Sequence, residues 1–159
     1  MKDQNKKFLL NELKIKINLL KKQKKQVIGF TNGCFDLLHE GHLHSLIEAK
    51  KKCDYLIVAI NSDASVKLLK GNDRPIDNES IRLKKLSNLK YVDALIIFKE
   101  KTPINIINEL LPNILFKGAD YKNKKVIGSE CVIKNGGIIE FIDILDGFST
   151  TNIIKNSSI

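Results

Sequence analysis

The chain has 159 residues, of which 43% are hydrophobic and 28% are charged, so it fits one folded domain and not a disordered chain. No apolar run approaches the roughly 20 residues that span a bilayer, and charges interrupt the apolar residues of the N-terminus. We therefore expect neither membrane insertion nor a secretory signal, and a cytoplasmic protein.

The formal net charge of +9 is concentrated at the N-terminus. Residues 1–25 hold nine lysines against Asp3 and Glu12, a local excess of seven positive charges, and residues 26–159 are nearly neutral. A basic arm on a nearly neutral domain is a weak indication of nucleic-acid binding. We expect a solvated helix surface and no nucleic-acid partner.

The hydrophobic pattern predicts one helix followed by alternating strands and helices. Apolar residues at helical spacing over 6–22 indicate an amphipathic helix, which packs on its own domain or on a partner. Strands are then predicted at 27–31, 55–60, 94–98, 114–116 and 138–145. Helices are predicted around 43–53 and over 78–89, 103–111, 125–135 and 150–156. The fold class expected is α/β, with a Rossmann-like, mostly parallel sheet and helices on both faces; residues 1–25 form the N-terminal helix and residues 26–159 the domain.

The most informative stretch is TNGCFDLLHEGHLHSL, residues 31–46, which follows the first predicted strand and opens a helix. Phosphates bind at this place in α/β sheets. Gly33 is expected to allow a tight turn, and Gly41 to leave room for a phosphate or a base. His39 and His42 are three residues apart, so they project from one side of the helix start. Two imidazoles there can stabilise charge that develops on a phosphate.

Asp36 and Cys34 lie within the same stretch. The carboxylate is expected to orient one of the histidines or to cap the turn. The three cysteines are odd in number and lack metal-ligand spacing, so they are expected to be reduced thiols. Cys34 is then expected to line the site without reacting.

The segment GCFDLLHEGH resembles the GxFDxxHxGH signature of the cytidylyltransferase-like nucleotidylyltransferases. Four later segments resemble, in order, the adenylyltransferases that make ADP-heptose from heptose 1-phosphate: NSDASVKLLKG at 61–71, RPI at 74–76, KGADY at 117–121 and DGFSTTNIIK at 146–155. The HxGH core also occurs in class I aminoacyl-tRNA synthetases, but no KMSKS-type segment accompanies it here. The resemblance implies transfer of AMP from ATP to heptose 1-phosphate, with release of pyrophosphate, for lipopolysaccharide or another surface glycan.

The resemblance also implies roles for particular residues. The expected catalytic residues, which neutralise charge on the reacting phosphates, are His39, His42, Lys70 and Arg82. The expected nucleotide-binding residues are Thr31, Asn32, Gly33, Cys34, Phe35, Asp36, Gly41, Lys117, Gly118, Asp120, Ser149, Thr150 and Thr151. The residues expected to contact the sugar phosphate are Asn61, Asp63, Arg74 and Tyr121. No dedicated metal site is expected, and Mg²⁺ is expected to be held largely by the ATP phosphates.

Simpler interpretations of two segments stay open. The hydroxyls of Ser149, Thr150 and Thr151 begin the last predicted helix, where an N-cap needs only one of them. Asp120 and Tyr121 follow a predicted strand, so they either contact a ligand or only form a turn.

Two other functions also stay open. The first is a CTP-dependent enzyme that acts on glycerol 3-phosphate or a similar alcohol phosphate. Such enzymes carry Arg-Thr-Glu-Gly before the Ser-Thr-Thr segment, whereas this chain has Ile144 at the arginine position, and its Asn32 before the motif glycine is typical of the heptose enzymes. The second is a non-catalytic nucleotide- or nucleic-acid-binding protein, which the histidine pair, Lys70 and Arg82 disfavour. Expected partners are a separate heptose kinase, which supplies the sugar phosphate, and a second copy in a possible homodimer.

Overall fold

The computed structural model describes residues 5–157, which form one five-stranded sheet. The strands are β1 Ile28–Gly33, β2 Tyr55–Asn61, β3 Ala94–Phe98, β4 Ile114–Gly118 and β5 Ile138–Ile142. They are all parallel and lie in the order β3-β2-β1-β4-β5. The predicted α/β, Rossmann-like fold is confirmed.

Helices cover both faces of the sheet. They are α1 Leu10–Lys24, α2 Glu40–Lys51, α3 Asp63–Lys70, α4 Glu79–Ser87, α5 Ile104–Leu110, α6 Ser129–Lys134 and α7 Thr150–Asn156, with a 3₁₀ turn at Ala119–Tyr121. Alternate residues of β2 belong to two cores: Ile57 packs with α1, α5 and α6, and Val58 packs with α2 and α4. The strands are therefore nearly continuous apolar runs, as expected for a parallel sheet buried on both faces. None of the described helices is long and apolar enough to cross a membrane.

The N-terminal segment completes the edge of the sheet beside β3. The backbone N–H of Phe8 donates to the carbonyl of Leu95 at 2.9 Å, and the N–H of Leu95 donates to the carbonyl of Lys6 at 2.7 Å. Helix α1 then buries Leu13 and Ile17 in the core that it shares with α5. The segment thus covers part of an edge strand that would otherwise present unpaired backbone groups.

Several predictions differ from the structure; the helix predicted over 125–135, for example, begins only at Ser129. β1 continues through Gly33, so the chain turns later, at Phe35 and Leu37, which adopt φ angles of +50° and +51°. Residues 63–70, for which no helix was predicted, form α3, whose start is capped by the Ser62 hydroxyl. β5 ends at residue 142 and not 145, because Ile144, although apolar, is exposed in the loop that follows.

Candidate active site

A pocket of about 650 Å³ lies at the carboxyl ends of the strands. It spans the point between β1 and β4 where the strand order changes direction, the usual ligand crevice of open α/β sheets. Fourteen predicted site residues line it: Thr31, Asn32, Gly33, Cys34, Phe35, Asp36, His42, Asn61, Lys70, Lys117, Gly118, Asp120, Tyr121 and Thr150. Seven others do not line it: His39, Gly41, Asp63, Arg74, Arg82, Ser149 and Thr151. The pocket therefore joins residues that are widely separated in the sequence.

The two motif histidines cap the start of α2 reciprocally. The backbone N–H of His42 donates to Nδ1 of His39, and the backbone N–H of His39 donates to Nδ1 of His42, each at 3.4 Å. Their rings stack with centroids 3.7 Å apart. Because each Nδ1 accepts a hydrogen bond, the proton of each neutral ring lies on Nε2. Both imidazoles are thereby fixed as Nε2–H donors.

The histidine pair is neutral near physiological pH. Burial, together with the smaller effects of the neighbouring His39 and Lys70, lowers the pKa of His42 to about 3, although Asp36 opposes this change. Burial also lowers the pKa of His39. The rings are therefore suited to donate hydrogen bonds to phosphate oxygens without carrying a charge of their own.

Gly41 allows the start of α2 to approach the chain that leads into α7. A Cβ atom at this position would lie 3.0 Å from Cε1 of His39 and 3.1 Å from Cβ of Phe148. The space at Gly41 is thus taken up by protein atoms. This placement differs from the expected opening for a phosphate or a base.

Asp36 connects three segments around the pocket. Its buried carboxylate accepts hydrogen bonds from the backbone N–H groups of Ile76 and Asp77 and from Nε of Arg74, at 2.7–3.1 Å. Burial opposes ionisation of Asp36, but these three donors outweigh it and hold its pKa below the ordinary value. The backbone carbonyl of Asp36 accepts from the Thr150 hydroxyl at 2.6 Å. The carboxylate therefore anchors the 74–77 loop, whereas it was expected to orient a histidine ring or to cap the turn.

The side chains of both arginines form hydrogen bonds with other protein groups, and neither arginine lines the pocket. The Arg82 side chain is fully buried and donates to the carbonyls of Cys34 and Asn61 at 2.7 Å and to Oδ1 of Asp63 at 2.8 Å. Its Nε donates to the carbonyl of Asp77 at 3.0 Å. Arg82 thus lies beneath the pocket, where it joins the ends of β1 and β2, in contrast to the expected contact with phosphates. Arg74 is paired with Asp36.

The three hydroxyl residues of α7 have different surroundings. Ser149 is an N-cap whose hydroxyl accepts from the backbone N–H of Asn152 at 3.1 Å. Thr150 is buried and lines the pocket while its hydroxyl donates to Asp36. Thr151 is exposed and lies outside the pocket lining. All three were expected to contact phosphate, and of the three only Thr150 lines the pocket.

Two lysines reach the pocket from opposite sides. Lys70 lies at the end of α3, and its exposed, flexible side chain places a positive charge at the rim of the pocket. Lys117, on β4, donates to Oδ1 of Asn32 at 2.6 Å, and its Nζ lies 5.5 Å from the centroid of the Tyr121 ring. Burial lowers the pKa of Lys117 to about 8, although Asp120 opposes this change. Lys117 is therefore mostly charged at neutral pH and loses its charge as the solution becomes mildly alkaline.

Sequence reasoning missed several lining residues. Lys101, Thr102 and Pro103 form the loop between β3 and α5 and line the pocket beside Asn61. Their position directly after a predicted strand was a usable signal, because all parallel strands end at the same edge. Ile127, by contrast, lies in a loop without such a signal.

The sequence profile of the cytidylyltransferase-like family matches residues 30–156. The chain belongs to this family. The family membership predicted from the GCFDLLHEGH segment is thus confirmed for most of the described residues.

Among curated relatives of this cytidylyltransferase-like chain is "Bifunctional protein HldE" of Nitrobacter winogradskyi, which is 54% identical over 82% of the chain. The protein of the same name from Granulibacter bethesdensis is 50% identical over 89% of the chain. The chain spans 27% and 30% of the length of these two relatives.

Two solved structures share the fold. The lipopolysaccharide core biosynthesis protein from Thermoplasma volcanium is 32% identical, with a TM-score of 0.60, and the match covers 76% of this chain and 97% of that one. Pantoate-β-alanine ligase from Francisella tularensis is 19% identical, with a TM-score of 0.60, and the match covers 94% of this chain and 75% of that one. The second likeness concerns the fold alone.

Proposed function

We propose that this chain is an adenylyltransferase that transfers AMP from ATP to a heptose 1-phosphate, giving ADP-heptose and pyrophosphate. The observation that carries the proposal is the histidine pair, fixed as two Nε2–H donors beside a pocket at the switch point of the sheet. The identity of about half of the residues with proteins named HldE supports it. So does the segment Leu145-Asp146-Gly147-Phe148, which resembles the heptose enzymes and not the CTP-dependent ones.

The reaction requires one displacement at phosphorus. A phosphate oxygen of the sugar phosphate attacks the α-phosphorus of ATP, and the bond from that phosphorus to the bridging oxygen breaks as pyrophosphate leaves with the electron pair. The phosphate nucleophile is already anionic near neutral pH, so no strong general base is needed. Catalysis then consists of alignment and stabilisation of charge.

The residues around the pocket have different roles in stabilising charge and in aligning the substrates. His42 donates from Nε2 to an α-phosphate oxygen, and Lys70 neutralises charge from the rim of the pocket. Lys117 and the residues that follow β4 line the pocket and are proposed to hold the nucleotide, and Asn61, which also lines it, is proposed to contact the acceptor. Arg82 positions the backbone at Cys34 and Asn61 without contacting the substrates.

We propose Mg²⁺ as the cation that accompanies ATP. Within residues 5–157, no three His, Cys, Asp or Glu side chains are placed to hold a metal ion together. The triphosphate oxygens are therefore its proposed ligands, and the cation would draw charge from the departing pyrophosphate when bound there. The proposal further includes a cytoplasmic location, supply of the sugar phosphate by a sugar kinase activity, and a possible homodimer.

Pyrophosphate release tests the proposal. The purified chain is assayed with Mg²⁺, with ATP or CTP, against heptose 1-phosphate or glycerol 3-phosphate. Release with ATP and heptose 1-phosphate alone is the expected result. Release with CTP and glycerol 3-phosphate would preserve the chemistry and contradict the assignment of both substrates, and no release in any combination would contradict the enzymatic function.

A further inference from the structure

A second cavity of about 380 Å³ adjoins the main pocket. It lies between the start of α5, the loop before α6 and the start of α6 itself. Thr102 and Ile127 line both cavities. A ligand that extends past these two residues therefore passes from one cavity into the other.

The lining of the second cavity is rich in groups that pair with hydroxyls. Its polar side chains are those of Thr102, Asn108, Lys125, Ser129 and Glu130. They include an amide, an ammonium group, a carboxylate and two hydroxyls, so both donors and acceptors are present. Lys125 and Glu130 form a well-exposed ion pair at 2.8 Å, so both remain able to reorient towards a ligand.

The same lining is poorly suited to a purine base. No aromatic ring lines the second cavity, whereas Phe35, Phe116 and Tyr121 all line the main pocket. A base gains much of its binding energy from stacking on such rings. The adenine of ATP is therefore better accommodated in the main pocket.

The geometry points to the second cavity as a subsite for the polyhydroxylated end of the acceptor, the part of the sugar farthest from its phosphate. This inference rests on the proposed function, because it takes a sugar phosphate as the acceptor. With the phosphate beside His42 and Lys70, the sugar passes over Thr102 and places its outer hydroxyls near Asn108 and Ser129. A three-carbon alcohol phosphate ends before it enters this cavity, so the subsite selects for longer sugars.

Two cysteines report on the two cavities independently of turnover. Cys131 lines the second cavity and Cys34 lines the main pocket, and both are free thiols. Iodoacetamide labelling followed by peptide mass mapping measures the alkylation rate of each. We expect heptose 1-phosphate to slow alkylation of Cys131, and ATP to slow alkylation of Cys34 only. Glycerol 3-phosphate is expected to leave the rate at Cys131 unchanged.

Steady-state kinetics test the same subsite through its amide. Asn108→Ala is expected to raise KM for heptose 1-phosphate roughly three- to tenfold, the loss typical of one or two hydrogen bonds, with KM for ATP and kcat unchanged. The matched control is Asn105→Ala, because Asn105 is also exposed on α5 but lines neither cavity. A rise in KM for ATP, or protection of Cys131 by ATP, would assign the cavity to the nucleotide and overturn the inference.

The remaining outcomes separate the subsite from the proposed function. If heptose 1-phosphate supports pyrophosphate release but leaves Cys131 unprotected and the Asn108→Ala variant unaffected, the function stands and the subsite is wrong. If heptose 1-phosphate neither reacts nor protects either thiol, the proposed function is wrong and the subsite is wrong with it.

Discussion

At the scale of single residues, the pocket depends on side chains whose protonation the fold controls. His42 is neutral near physiological pH, since burial lowers its pKa to about 3, and its Nδ1 is engaged by the backbone of His39. We expect His42→Ala to lower kcat for pyrophosphate release about 100- to 1000-fold, because a donor aimed at developing charge is lost. His44→Ala is the control, since His44 lies on the same helix outside the pocket lining. Activity near that of the wild type in His42→Ala would contradict the mechanism.

Lys117 gives the pocket a charge that depends on pH. Burial lowers its pKa from 10.5 to about 8, so the cation that attracts the nucleotide is present below pH 8 and lost above it. We expect kcat/KM for ATP to fall as the pH rises through 8, by up to about tenfold per unit, because this parameter reports the free enzyme. Lys117→Arg is expected to remove the alkaline fall, because a guanidinium stays charged. An unchanged alkaline limb in this variant would exclude Lys117 as its source.

At the scale of secondary-structure elements, Arg82 of α4 holds together the ends of β1 and β2 and the start of α3. Arg82→Met leaves three backbone carbonyls and the Asp63 carboxylate without their donor, so we expect the free energy of unfolding to fall by about 3 kcal/mol. Lys84→Met, at an exposed position of the same helix, controls for the change of charge. Urea denaturation measures both variants. A variant of normal stability with strongly reduced activity would instead indicate direct phosphate contact, as the sequence led us to expect.

The sequence predicts the elements better than the contacts between them. The strands were predictable because a parallel sheet buried on both faces requires apolar runs such as that of β2. The start of β5 was found, but its end was not, because Ile144 continues the apolar pattern while lying exposed in a loop. The roles of Asp36 and Arg82 were not predictable from spacing, since their partners are mainly backbone groups that are distant in sequence. A local sequence pattern thus shows where a site residue lies in the fold, but it does not show which groups its side chain hydrogen-bonds.

At the scale of the whole molecule, the N-terminal helix belongs to the same packed unit as the sheet. Leu13 is fully buried beside α5, and the Lys21 ammonium donates to the carbonyls of Leu110 and Leu111 at the end of that helix. The segment before α1 pairs with β3 through Leu95. These contacts place α1 on its own domain and make a definite prediction about stability.

Alanine substitutions on the two sides of α1 test this placement. Leu13→Ala is expected to lower the free energy of unfolding by about 3 kcal/mol, because it opens a cavity in the core. Leu19→Ala removes the same atoms from a side chain that is 49% exposed, so it is expected to have little effect on the isolated chain. Both are measured by urea denaturation at several protein concentrations. If α1 instead packs on a partner subunit, Leu19→Ala becomes the more destabilising change, and the midpoint of unfolding rises with protein concentration. If α1 packs within its own domain, Leu13→Ala is the more destabilising change, and the midpoint of unfolding does not depend on protein concentration.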